Sequence, residues 1–493
     1  MPRNDKKMGI VLNQSLKNTI ITYLGFGVGA INTLYLYPVF LGATYYAVTG
    51  YILSAANVIM PLFAIGMQNT LVKFYSQYES EEERSRFLSF TVLFPLLLCI
   101  PLILIGLFFF DDIAFFVSKK NPIVRDFIWL IPFVGLCMAY FEIFYAWARV
   151  HMHSVFGNFI KEVGLRLFSL FALIGVYYKW ISVVEFVYVT AGIYFLAFII
   201  TMIYAFNVKK PNFQFTIPHN VKYIMEYTFY IILSGSVANL LLDGDKMMLN
   251  QYMEIENIAY YSVATYIALV ISVPGRAMHQ IVYPITAKLM HENKHDELND
   301  LYKKTSINLQ VVGGFVMLGI FVNINKLYEM VPVEYSGGIM VVFMIGISKY
   351  FDLILGNNNA IIFNTKYYRT VLFLGVALVL LTIGLNMIFI PIYGIMGSAF
   401  ATLLSITLYS LAKLLFVVKR LDLFPFTNQT VYSLIITFVL FLLFYFWEFP
   451  FGPIISIGLK SVLVTIFYVY FNYKFAISIE INQVINNVLK KLK

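Results

Sequence analysis

The chain has 493 residues, of which 60% are hydrophobic and 12% are charged, about half the charged share of a soluble domain. A soluble core cannot hide that much apolar surface, so the composition excludes an ordinary soluble protein and predicts one embedded in lipid. The net charge of +9 is interpreted as basic loops at a membrane surface, not as nucleic-acid binding. The two cysteines, Cys99 and Cys137, indicate neither a disulfide framework nor a metal site.

Fourteen segments are apolar over the length of about 20 residues that a helix needs to cross a bilayer. The sequence therefore predicts an all-α integral membrane protein with short connections. The expected crossings are 18–41, 45–72, 87–110, 123–148, 154–178, 182–206, 223–250, 257–283, 305–325, 337–362, 370–391, 395–418, 430–448 and 454–473.

Lysine and arginine predict the orientation. With the N-terminus inside, about 24 of the 35 basic residues fall on the cytoplasmic side and about five outside, so both termini are expected in the cytoplasm. The last stretch, "SIEINQVINNVLKKLK", is typical either of an amphipathic helix on the anionic inner leaflet or of a frayed tail. As a helix it would place Ile481, Val484, Ile485, Val488 and Leu492 on one face.

A short repeat divides the chain. "YYAVTGYI" begins at Tyr45 and "YYSVATYI" at Tyr260, and six predicted crossings separate them. An even number preserves direction, so the two halves are predicted to be parallel repeats. The expected organisation is a six-helix bundle over 1–206, a cytoplasmic linker over 207–222, a second six-helix bundle over 223–420, and two further helices with an amphipathic cytoplasmic tail over 421–493.

Each repeat carries a proline inside its second helix, Pro61 and Pro274. Paired helix interruptions in two halves of a transporter point to a binding region between them. The alternative is that membrane helices simply tolerate proline.

Charged side chains inside a bilayer cost about 2.5–3.5 kcal/mol each, so they mark protein interiors and water-filled pathways. Asp243 and Lys246 in the seventh crossing are three residues apart and can pair. Asp245 lies about 200° around the helix from Asp243 and is expected to lack that partner. These three residues are candidates for cation coupling or gating, unless the helix end lies in the headgroup layer.

Lys349 and Asp352 in the tenth crossing are also three residues apart and predict a mid-membrane ion pair, followed by Asn357, Asn358 and Asn359. The alternative is a structural pair between packed helices.

A third group of residues is predicted to form a vestibule for an anionic substrate. The alternative is that these side chains extend towards the lipid headgroups. The group comprises Glu142, Arg149, Lys161, Glu162, Arg166 and Arg276, with Asn358 as a further candidate.

The sequence contains no Walker-A loop, HExxH or GxSxG motif, and no loop large enough for a catalytic domain. The pair His151 and His153 has no obvious third ligand, and neither a metal nor a cofactor is expected. Helix bundles with internal charges favour translocation over catalysis, so the protein is predicted not to be an enzyme.

Four segments resemble the polysaccharide flippases of the multidrug/oligosaccharidyl-lipid/polysaccharide exporter superfamily. "DKMMLNQYMEIENIAYYSVATYI" is similar to the seventh-to-eighth helix signature, with Asp245 and Lys246 at its acidic and basic positions. "LNMIFIPIYGIMGSAFATLLS", Leu385 to Ser405, resembles the helix 11–12 junction. "VYPITAKLMHENKHDEL" and "YPVFLGATYYAVTGYI" resemble the end of helix 8 and the first hairpin.

This resemblance implies two six-helix bundles that work by alternating access in a bacterial inner membrane. It implies a polyprenyl-pyrophosphate-linked oligosaccharide as substrate, membrane lipids as surroundings, and Na⁺ or H⁺ as a candidate coupling ion. Related lipid II flippases carry several arginines on helix 1, where this chain has only Lys17, which favours an O-antigen-like or capsular unit. Alternatives are a cation-coupled multidrug exporter of the same superfamily and a membrane-embedded glycosyltransferase or polymerase, although the latter generally needs a substantial loop.

Overall fold

The computed structural model describes residues 2–212, 217–218, 220–365 and 367–492. These residues form α-helices joined by short turns, and they contain no β-strand. In this part of the chain, helices α1 to α20 are Pro2–Ile31, Tyr37–Ala64, Met67–Phe74, Glu81–Phe108, Phe110–Ser118, Leu130–Val150, Val155–Phe159, Leu165–Tyr177, Val183–Val208, Val221–Tyr252, Glu256–Leu269, Val273–His291, His295–Val322, Ile324–Tyr328, Ile339–Leu353, Asn358–Phe363, Tyr368–Leu421, Asn428–Tyr445, Pro453–Lys474 and Ile479–Leu492.

Eleven helical segments within the described ranges are long and apolar enough to cross a membrane, so the chain is a multi-pass membrane protein. Two of them, Ile20–Ala64 and Leu372–Leu421, have 45 and 50 residues, about twice the length of one crossing. Each contains a glycine with positive φ, Gly42 at 67° and Gly394 at 59°, where the helix kinks. The all-α class is confirmed, whereas the count of fourteen and the parallel repeat remain predictions.

The predicted crossing 154–178 is helical but uneven. It consists of α7, a π-helical turn over Ile160–Gly164, and α8. A π-turn widens the helix locally and is frequent at functional positions. This turn carries Lys161 and Glu162, two of the predicted vestibule residues.

Polar caps mark where two long helices begin. Ser80 Oγ accepts from the backbone N–H of Glu83 at 3.1 Å, and the Glu83 carboxylate accepts from the N–H of Ser80 at 3.4 Å. Ser182 and Glu185 repeat this arrangement at the start of α9. Both of these capping boxes provide acceptors for backbone N–H groups that the first turn of a helix leaves unpaired. Lipid tails offer no such acceptors.

The chain divides into two compact units, Met1–Ala259 and Tyr260–Lys493. The division falls after the predicted linker 207–222, because α10 packs on α2 within unit 1. Unit 1 is built around α6, which contacts α2, α3 and α9. Fully buried alanines on α6, including Ala139 and Ala146, allow close helix approach, as is usual in membranes.

Unit 2 is built around α13, which contacts α12, α15, α18 and α19. The two helices that lie beyond the predicted second bundle, α18 and α19, are therefore part of this unit. Tyr468 of α19 donates from its hydroxyl to the carbonyl of Val311 at 2.9 Å. Lys460 donates to the carbonyl of Val322 at 2.9 Å, where α13 ends and leaves carbonyls unpaired.

The C-terminal stretch forms helix α20, Ile479–Leu492. Ser478 Oγ caps it by accepting from the N–H of Ile481 at 3.1 Å. Ile481 packs against the α13–α18–α19 core, whereas Val484 is exposed. The side chains of Val488 and Leu492, which belong to the predicted apolar face, lie outside the described part of the structure.

Candidate functional site

In unit 1, Asp243 joins α10 to α2. Ser54 Oγ donates to Asp243 Oδ1 at 2.8 Å, and Asn57 Nδ2 donates to Oδ2 at 2.7 Å. Lys246 Nζ lies 3.2 Å from Oδ1, so the pair expected from the three-residue spacing is formed. Asn239 adds a further link by donating to the backbone carbonyl of Asn57 at 2.6 Å. Both oxygens of Asp243 are thus used in holding α10 against α2.

Asp245 is buried, with 9% of the residue exposed. It takes part in an interaction of its own in the structure, so it is not the partnerless carboxylate that the sequence suggested. Its role in cation coupling or gating remains a prediction.

Four of the predicted vestibule residues form two ion pairs in unit 1. Lys161 Nζ lies 2.5 Å from Glu142 Oε1, and Arg166 Nη1 lies 3.1 Å from Glu162 Oε2. Arg166 also donates to the backbone carbonyl of Glu162. The guanidinium of Arg149 lies over the Tyr145 ring, 4.8 Å from its centroid.

This pairing changes the electrostatic expectation. Each of the two pairs is neutral, so the four residues do not by themselves supply the positive surface that an anionic substrate would need. All four side chains remain partly accessible, from 16% for Glu142 to 44% for Lys161. They can therefore still offer hydrogen bonds to a ligand.

In unit 2, Asp352 of α15 pairs with a residue that the sequence analysis missed. Lys413 of α17 donates from Nζ to Asp352 Oδ1 at 3.0 Å, and Ser410 Oγ donates to the same oxygen at 3.2 Å. Lys349, the predicted partner, lies within electrostatic range of the carboxylate. The signal that could have revealed Lys413 is a lone lysine inside the apolar crossing 395–418.

Asn358 lies at the break between α15 and α16, where it is 2% exposed and donates to the hydroxyl of Tyr302 at 3.0 Å. Its neighbour Asn357 donates to Thr286 Oγ1 at 2.8 Å and accepts from Thr305 Oγ1 at 3.0 Å. These buried amides tie the break to α12 and α13, which gives Asn358 a structural role whether or not it meets substrate.

The two predicted helix breaks differ in form. After Pro61, α2 ends at Ala64, and Ile65 adopts a left-handed conformation with φ 48°. Pro274 instead occupies the first turn of α12, directly after a 3-10 turn over Val270–Ser272. Arg276 follows on α12 with its side chain exposed and engaged in an interaction. The binding role proposed for both prolines remains a prediction.

Across the described ranges, no group of three or more His, Cys, Asp or Glu residues is arranged to hold a metal. His151 instead links the end of α6 to Tyr75, the residue directly after α3. Its Nδ1 lies 2.8 Å from the carbonyl oxygen of Trp147, and its Nε2 lies 2.9 Å from the Tyr75 hydroxyl. The carbonyl can only accept, so Nδ1 carries the proton and Nε2 accepts from Tyr75.

Residues 12–290, more than half of the chain, match the family model described as "Polysaccharide biosynthesis protein". The chain belongs to this family. The polysaccharide family that the sequence resemblance indicated is therefore confirmed. No curated protein matches the chain at a significant level.

Solved structures with low sequence identity share the fold of this polysaccharide biosynthesis protein. The lipid II flippase MurJ, in an inward closed conformation, is similar with a TM-score of 0.72 and 17% identity over 93% of this chain and 99% of that one. An inward-facing multidrug resistance transporter of the MATE family has a TM-score of 0.56 and 13% identity, over 82% of this chain and 94% of that one. A MATE protein in the bent conformation has a TM-score of 0.55 and 13% identity, over 83% of this chain and 95% of that one. By their names, these proteins are a flippase and transporters.

Proposed function

We propose that the chain is a flippase that moves a polyprenyl-pyrophosphate-linked oligosaccharide from the cytoplasmic to the outer leaflet of a bacterial inner membrane, for surface polysaccharide synthesis. The observation that carries this proposal is the combination of polysaccharide family membership over residues 12–290 with the fold of a lipid II flippase over 93% of the chain. The charged residues Asp243, Asp245 and Asp352 in apolar helices support it, because ionisable groups in membrane helices usually belong to translocation pathways.

A cation-coupled multidrug exporter is the second candidate, since MATE transporters share the fold. Two observations favour the flippase. The MATE similarity covers 82% of the chain, whereas the flippase similarity covers 93%. The matched family is also one of polysaccharide biosynthesis.

Reconstitution tests the proposal directly. The purified protein is placed in liposomes that contain lipid-linked oligosaccharide from the source bacterium, labelled on the glycan. The fraction of glycan accessible to a membrane-impermeant glycosidase should rise from about half to nearly all, because flipped molecules become exposed. Protein-free liposomes are the control. An unchanged accessible fraction, together with efflux of a cationic dye from the same vesicles, would support the drug exporter instead.

We further propose that transport is coupled to Na⁺ or H⁺ and that Asp245 senses the ion. A buried carboxylate in a crossing helix is a natural cation site, and moving one charge through the membrane potential supplies about 2.3 kcal/mol per 100 mV. Asp245→Asn should abolish acceleration by an imposed gradient while leaving the melting temperature nearly unchanged. Glu79→Gln, a change outside the membrane helices, is the control. Full gradient dependence in Asp245→Asn would remove Asp245 from the mechanism.

A further inference from the structure

Lys413 is an almost fully enclosed cation whose donors are all engaged. Its side chain is 2% exposed. Its Nζ donates to Asp352 Oδ1 at 3.0 Å and to Asn359 Oδ1 at 3.2 Å, and it lies 4.3 Å from the centroid of the Tyr409 ring. An ammonium has three N–H groups, so two hydrogen bonds and one ring contact satisfy it. Lys413 is therefore held in one place and is not available to a ligand.

Asp352 is in the opposite situation. Its side chain is 47% exposed, although it lies within the predicted crossing 337–362. The hydrogen bonds that the structure describes at this carboxylate, from Lys413 and Ser410, both end on Oδ1. A charged group inside a bilayer faces a protein interior or a water-filled space, because contact with lipid costs several kcal/mol. The exposed part of the Asp352 side chain is therefore expected to face such a space and not lipid.

The chemistry of this carboxylate indicates the kind of ligand. Lys413 neutralises Asp352 and already occupies the position that a metal cation would take on Oδ1, so a second cation gains little. A neutral ligand with hydroxyl groups can still donate to the carboxylate, and O–H···O⁻ bonds are about twice as strong as neutral ones. Lys349 lies within electrostatic range of the same carboxylate.

We propose that Asp352 binds sugar hydroxyl groups of the transported glycan and that Lys413 is the positioning residue that orients its carboxylate. This inference rests on the proposed function, because it names the part of the substrate that unit 2 recognises.

Direct binding tests the inference apart from transport. The probe is the soluble oligosaccharide released by mild acid from the lipid-linked pool of the source bacterium, titrated into purified full-length protein by calorimetry. Asp352→Leu/Lys413→Met removes the acceptor without leaving a lone charge, and should weaken binding at least tenfold. Asp300→Leu/Lys304→Met removes an exposed ion pair of the same residue types and should leave binding unchanged.

A milder variant covers the case in which the double variant does not fold. Asp352→Glu keeps the pair with Lys413 but moves the carboxylate by one methylene, so it should bind the probe several-fold more weakly with a nearly normal melting temperature. Equal binding by wild type and Asp352→Glu, or no binding by wild type, would overturn the inference.

Flipping assays separate this inference from the proposed function. For Asp352→Glu, KM should rise for the intact lipid-linked oligosaccharide with little change in kcat, whereas polyprenyl pyrophosphate carrying one sugar should be flipped normally.

If wild type flips substrate and the variant matches it, the inference fails and the function stands. If wild type binds the probe, the variant does not, and neither flips lipid, the flippase function fails, whereas the assignment of Asp352 to glycan binding stands. Loss of ion-gradient dependence with unchanged glycan binding would make Asp352 an ion site and also overturn the inference.

Discussion

Lys413 donates to Asp352 at 3.0 Å, yet Lys413 is enclosed with 2% of its side chain exposed and Asp352 is 47% exposed. The two halves of this ion pair are therefore not equivalent. An unpaired charge costs most where water cannot reach it, so removing the carboxylate should harm the fold more than removing the ammonium.

From this asymmetry we predict that Asp352→Ala lowers the free energy of unfolding by about 3–5 kcal/mol, because it leaves Lys413 buried without a counter-ion. Lys413→Met should cost less, since water can reach the remaining carboxylate. Asp352→Ala/Lys413→Met should recover part of the first loss. Melting curves in detergent measure all three variants. Equal losses in the single variants, or an additive loss in the double variant, would contradict the prediction.

Gly356 should not tolerate a side chain. It has φ 60°, and a Cβ there would lie 2.8 Å from the backbone nitrogen of Ser306 and 2.9 Å from Thr305 Oγ1. Gly356→Ala should therefore destabilise the protein by about 1–3 kcal/mol, the usual cost of such backbone strain. The control is Gly319→Ala, a helical position where a Cβ meets nothing within 4 Å. Gly319→Ala should be neutral or stabilise the protein by up to about 1 kcal/mol. Similar melting temperatures for the two variants would contradict the steric requirement for glycine at position 356.

His151 should make stability depend on pH. Burial lowers the pKa of this imidazole below its usual 6.5, and the nearby Lys209 and His153 lower it further, whereas Glu81 and the hydrogen bond to the Trp147 carbonyl oppose the shift. The unfolded chain then binds the proton more readily than the folded one. The stability contributed by neutral His151 is present above about pH 6.5 and is lost as the pH falls through the lower folded-state pKa.

The corresponding variant is His151→Gln, which cannot titrate. Its melting temperature should fall less than that of the wild type between pH 7 and pH 5, because protonation no longer disturbs the hydrogen bond from Tyr75. His291→Gln, at an exposed histidine of unit 2, is the control for a general effect of removing a histidine. Identical pH profiles for wild type and His151→Gln would show that His151 does not titrate differently on unfolding.

Cysteine labelling tests the predicted orientation. Cys99 and Cys137 are free and buried, so they are first replaced by alanine. Single cysteines at Asn257 and Ser336 should then react with an impermeant thiol reagent added outside intact cells. Single cysteines at Asn293 and Asn428 should react only after the membrane is opened. The reverse pattern would place both termini outside and contradict the distribution of basic residues.

Features that depend on neighbours along the chain could be predicted from the sequence. The composition indicated a membrane protein, because a soluble core cannot bury a chain that is 60% hydrophobic. Spacing predicted the pair of Asp243 with Lys246, since residues three apart lie on one helix face and meet whatever the fold. The pair of Glu162 with Arg166, four apart, is of the same kind.

The charges that meet across different helices could not be predicted and were found in the structure. Lys413 reaches Asp352 from another helix, and Lys161 reaches Glu142 in the same way. The structure also showed that Ser54 and Asn57 donate hydrogen bonds to the carboxylate of Asp243. The physical reason is that helical periodicity gives the face on which a side chain lies but not the helix opposite that face. The partner is set by how the helices pack, which in lipid depends on close contact and interhelical hydrogen bonds over the whole bundle.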